Sequence, residues 1–214
     1  MPGCHDHHAV RFDGASPAYR RALWAVMALN TGMFVVELSA GHLAGSKALQ
    51  ADALDFAADA ATYAISLAVI GSSLVVRANA ALLKGASLVV MAAFVLVSTV
   101  LAAFSGGVPH APVMGVVGAL ALAANLASVV ILMRWRAGDA NVRSVWLCSR
   151  NDAIGNVAVM GAGGLVWLTL SPWPDLIVAA GLAALFLGSA FGIITQALAE
   201  RREGLAVAVS PPSG

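Results

Sequence analysis

Two short segments of this sequence gather side chains that bind cations. Residues 50–59 carry Asp52, Asp55 and Asp59. Residues four apart share one face of a helix, so Asp55 and Asp59 point the same way, with Asp52 one turn before them. In the second segment Cys148 and Asp152 are again four apart, and Asn151 points away from their face. Ionised carboxyls at one point need protons or a cation to compensate them. Metal ligation uses the deprotonated groups, so binding a metal releases protons and reprotonation expels the metal. Oxygen donors with one sulfur at four-coordinate spacing suit Zn²⁺, and Cd²⁺ as its softer relative. Ca²⁺ wants about six to eight oxygens, and Mg²⁺ keeps several waters. Mn²⁺, Fe²⁺ or Co²⁺ fits where Cys148 stands aside and Asn151 or water completes the shell.

The elements that carry these groups are set by composition. The chain has 214 residues, of which 60% are hydrophobic and 11% charged, with a mean hydropathy of +0.85. A soluble domain is about a quarter charged, so this chain cannot cover its own surface in water. Disordered proteins, disulfide scaffolds and ordinary soluble enzymes are excluded. A net charge of +1 leaves no basic footprint for nucleic acid. A spanning helix needs about 20 mostly apolar residues. Six stretches meet that length: Ala22–Leu43, Ala48–Val76, Gly85–Phe104, Ala111–Met133, Ser144–Leu168 and Asp175–Ala199. Short links with turn signals separate them, among them Arg77–Lys84 and the Pro-Trp-Pro stretch ending at Pro174. No period of two runs through the spans, which excludes a barrel. The expected fold is all-α, a polytopic six-helix bundle. A polar tail (1–21), a transport domain (22–199) and a short tail (200–214) divide the chain.

The bases set an orientation. With the N-terminus inside, ten of the twelve Lys and Arg residues fall on the cytoplasmic side. Lys47 falls outside and Arg150 lies within the fifth span, so both termini are expected in the cytoplasm and the chain in the cytoplasmic membrane. The second and fifth spans run in opposite directions. Asp55 and Asp59 therefore enter from one side, Cys148 and Asp152 from the other, and both pairs approach the middle of a roughly 30 Å core. Acids at that depth are costly and point to function. Asp52 is an accessory group nearer the outer surface. Asn30 and Asn156 are accessory or interhelical hydrogen bonders, and Asn125 is interhelical. Glu37 reads as an interfacial acid or an exit-path group. Cys4, His5, His7 and His8 form a metal-binding composition in the N-terminal tail that could collect cytoplasmic metal. Gly161, Gly163, Gly164, Gly181 and Gly188 allow close helix approach.

These segments resemble the cation diffusion facilitator family of divalent-metal/proton antiporters, across about Ala22 to Ala199. The likeness rests on Gly45, Ser46, Asp52, Asp55 and Asp59 in the second span and on the Cys148–Asp152 segment with Gly155 and Asn156 in the fifth. Asn30, Glu37 and the Pro174–Asp175 opening of the sixth also match. The resemblance implies that Asp55, Asp59 and Asp152 ligate the transported ion, with position 148 as the fourth ligand. It also implies a homodimer. Position 148 is Cys where many members have His, which tilts the preference toward softer ions. The sequence stops where the family continues into a cytoplasmic metallochaperone-like domain, so that domain's roles are not carried over.

The expected activity is proton-coupled efflux of a divalent transition metal by alternating access, without covalent chemistry. Two other classes use the same acids: a proton-coupled exporter of organic cations, and a membrane metal sensor or accessory subunit. An organic-cation pocket would want aromatic walls, and only Phe56, Tyr63 and Trp146 lie beside the acids.

Overall fold

Ser16 opens α1 (Pro17–Ala44). Its side chain accepts the Tyr19 N–H at 3.2 Å, and Pro17 occupies the first turn, where no N–H is needed. Gly45 closes the helix at φ 67°, a left-handed conformation that glycine adopts without strain. The chain reverses within two residues, and α2 (Lys47–Ala68) runs back along α1. There follow α3 (Leu74–Ser105), α4 (Ala111–Leu132) with a 3-10 turn, α5 (Ala140–Thr169) and α6 (Trp173–Val209). The computed structural model describes residues 16–68, 72–105, 107–135 and 140–209, with no strand among them. The all-α six-helix bundle expected from the sequence is what the chain forms.

One expected link is wrong. Arg77–Lys84 was to join the second and third spans, yet these residues are the first turns of α3. Ala78, Ala80, Ala81, Leu82 and Leu83 are strong helix formers with no Gly or Pro to stop them. α2 is described as far as Ala68, and α3 begins at Leu74. Two bases expected in a loop are thereby carried on a helix.

α3 packs most extensively on α6, α4 on α5, and α1 on α2. α2 also touches α3, α5 and α6, so it has helices on nearly every side. The largest apolar cluster joins Leu49, Leu88, Met114, Val166, Leu182 and Phe186, drawn from five different helices. Large apolar side chains cover the outside instead, with Phe104 86% and Leu168 80% exposed, as a lipid-facing surface requires. Among the described residues, five helices are long and apolar enough to cross a membrane. α2 is the exception among the six because its 22 residues carry Lys47 and three aspartates.

Close approach is made at fewer glycines than the sequence suggested. A Cβ at Gly161, Gly164, Gly181 or Gly188 would meet nothing within 4 Å. At Gly163 it would lie 3.0 Å from Met114 Cβ and 3.4 Å from the Gly115 backbone nitrogen, where α5 rests on α4. Gly163→Leu is expected to lower stability by about 1–3 kcal/mol through overpacking, measurable as a lower Tm in detergent. Gly161→Leu should leave Tm nearly unchanged.

Candidate cation site

Asp59 of α2 is held by a partner from its own helix. Tyr63 is fully buried beside Tyr19, Leu23, Val26 and Leu132, and its hydroxyl donates to Asp59 Oδ2 at 2.7 Å. The donor lies one turn beyond the acceptor on the same face. The i, i+4 spacing of Asp59 and Tyr63 makes this partner legible in the sequence. Asp59 is buried, while Asp55 and Asp152 keep part of their surface accessible.

Asp152 of α5 makes hydrogen-bonding contact with both Asp55 and Asp59. The two helices thus bring together the three acids singled out from their spacing. Ionised carboxylates carry only acceptors, so contacts of this kind are closed by a proton. Among the described residues no three His, Cys, Asp or Glu side chains stand in a metal-holding group. The acids meet through hydrogen bonds.

Lys84 adds a charge that sequence reasoning missed. The sequence offers Arg150 as the base inside the membrane, but α3 begins early enough to carry Lys84 alongside α2. Its ammonium acts on both Asp55 and Asp59. The side chains of Cys148, Arg150 and Asn151 lie outside the described residues, although their backbone belongs to α5. His5, His7 and His8 lie outside the described residues altogether.

A second pair of acids sits nearer the α1–α2 turn. Glu37 is fully buried, and its side chain meets Asp52. Written as carboxylates, both Glu37 oxygens and Asp52 Oδ2 have no hydrogen-bond partner. The signal was present in the sequence, because Glu37 stands among Phe34, Val35, Val36 and Leu38 with no neighbouring base. Asn30 donates from Nδ2 to Val26 O at 2.8 Å within its own helix, instead of bridging helices. Asn156, one turn after Asp152, is fully buried with neither amide atom bonded.

The turn itself is tied to α6. Asp175 is fully buried. Its Oδ1 accepts the Ser46 hydroxyl at 2.5 Å and the Ala48 N–H at 3.1 Å, and its Oδ2 accepts the Lys47 N–H at 2.7 Å. Ser46 Oγ in turn accepts the Leu49 N–H at 3.0 Å. The first N–H groups of α2, which no helix can satisfy internally, are all used. Beside them a cavity of about 300 Å³ is lined in part by His42, Lys47, Gln50 and Asp175.

Apolar helices enclosing acids on α2 and α5 define a polytopic membrane protein. The cation efflux transmembrane domain matches residues 76–200, more than half of the sequence, and the chain belongs to that family, the cation diffusion facilitators. It is a transporter that moves cations across a membrane, and no enzyme. The match begins after α2, so Asp55 and Asp59 stand outside it. A search of curated proteins finds no match to this chain.

Proposed function

We propose that the protein exports a divalent transition metal, Zn²⁺ with Cd²⁺ as a competing substrate, in exchange for protons. The observation that carries this reading is the contact of Asp152 with both Asp55 and Asp59 across two helices. Asp55, Asp59 and Asp152 are the ligands, with Cys148 as the fourth and Asn151 and Asn156 as accessories. Between transport events protons and Lys84 balance the acids; the metal replaces them, which couples its entry to proton release. Asp52 lies toward the exit, paired with Glu37. His5, His7 and His8 collect metal in the cytoplasm. The bundle rocks between inward and outward openings as a homodimer in the cytoplasmic membrane, with both termini in the cytoplasm.

Purified full-length protein in proteoliposomes tests this reading. A pH gradient imposed without ATP should drive Zn²⁺ accumulation, and a protonophore should stop it. Accumulation that ignores the gradient would remove proton exchange from the proposal. Sulfur ligation has its own readout. Cys148→Ser and Cys148→His should each lower the Cd²⁺/Zn²⁺ transport ratio, because thiolate is the softer donor. An unchanged ratio makes Cys148 a packing residue.

A further inference from the structure

We propose that Asp175 is a positioning residue for the cation site: from the start of α6 it caps α2 in trans and thereby sets the depth and rotation of Asp55 and Asp59. The proposal deepens the reading above and rests on it.

A carboxylate commonly caps the helix that follows it in the chain. Here the capping acid belongs to another helix, 127 to 129 residues away from the groups it holds. Its two oxygens accept three hydrogen bonds from consecutive residues at one helix end. Three bonds from neighbouring positions fix rotation about the helix axis as well as depth along it. Slipping α2 by one residue would turn its face by about 100° and carry Asp55 and Asp59 away from α5. The negative charge at the helix N-terminus also complements the α2 dipole.

The remaining contacts at this end make the tie rigid. Ser46 N–H donates to Gly41 O at 3.0 Å, and Gln50 Nε2 donates to the same oxygen at 3.1 Å. A Cβ at Gly41 would lie 3.0 Å from Gln50 N and Leu49 Cβ, so α1 and α2 are already as close as backbones allow. The α1–α2 hairpin is therefore one block, and Asp175 joins it to α6. Asp55 lies about 12 Å and Asp59 about 18 Å along α2 from Lys47, close enough for a rotation at the cap to be felt in full.

Asp175 touches no transported ion in this scheme, because its oxygens are occupied by α2. Its effect must appear in how well the ligands are placed. Asp175→Ala should raise KM for Zn²⁺ about 10- to 100-fold, the range seen when groups that orient metal ligands are lost. Asp175→Asn keeps one acceptor oxygen and should give a smaller rise in well-folded protein. The discriminating variant adds Ser46→Asp to Asp175→Ala, which supplies a cap from within α2 but no tie to α6. Tm should recover in that double variant while KM stays high.

The measurements are Zn²⁺ transport kinetics in proteoliposomes and Tm of the full chain in detergent. KM within about twofold of the parent in both Asp175 variants, or a KM restored by the Ser46→Asp cap, would overturn the proposal. If Asp175→Ala does not fold, Asp175→Asn and Ser46→Ala are read by the same rule. Loss of flux in Asp55→Ala with KM unmoved by Asp175 variants sinks the positioning role alone. Flux that survives loss of Asp55 and Asp152 sinks the site itself.

Discussion

Asp55→Ala combined with Asp152→Ala is expected to lower Zn²⁺ uptake into inverted vesicles by at least about 100-fold. Loss of a group that merely orients a ligand costs 10- to 100-fold in affinity, and this double variant removes ligands from two helices. Asp152 contacts both acids of α2, so either single change leaves two carboxyls at the site and the double leaves only Asp59. The two single effects should therefore combine less than additively, because the residues act as one unit. Uptake that persists in the double variant would place the ion elsewhere in the bundle. Tyr63 supplies a control, since Tyr63→Phe keeps the ring in its cluster and removes only the donor to Asp59.

Glu37→Gln is expected to keep the protein folded and to uncouple it. The parent buries three carboxyl oxygens of Glu37 and Asp52 with no donor between them unless a proton is shared. An amide at position 37 keeps a permanent donor to Asp52 in place of the shared proton, and it can neither take up nor release a proton. Tm in detergent should stay at or above that of the parent. Glu37→Leu should do the reverse, because Asp52 then faces a side chain with nothing to donate. Asp55 and Asp59 are untouched, so Zn²⁺ binding should survive in Glu37→Gln while accumulation driven by a pH gradient falls. A lower Tm in Glu37→Gln would mean that the two acids do not meet in the membrane.

The sequence announced the bundle because lipid imposes one requirement, a long apolar helix, that composition displays directly. It announced Asp55, Asp59 and Asp152 because a charge in such a helix needs a reason. Its errors were of another kind. Lys84 was assigned to a loop since charge breaks hydropathy, but charge does not break a helix, and Ala78 to Leu83 extend one without strain. Glu37 reads from sequence as an interfacial or exit-path acid, and its pairing with Asp52 on α2 is hidden because sequence spacing is blind across helices. Asp175 was noticed only as a family likeness. Its role depends on which helix end it meets, and that follows from packing, not from any local pattern. Periodicity reports which residues share a face; it does not say which faces meet.

The position of α2 carries a consequence for how the protein is made. With three aspartates in 22 residues, each costing about 2.5–3.5 kcal/mol at the centre of a lone helix, α2 is a poor candidate to leave the translocon by itself. Its exposed positions, Ala61, Ala64 and Ala68, offer little to lipid. α1 has the apolar surface that α2 lacks, and the Gly45 reversal holds the two side by side. The pair is therefore suited to enter the bilayer together as a hairpin and to wait, partly unsatisfied, until α5 and α6 are synthesised. Asp175, among the last of these groups to be translated, would close that assembly.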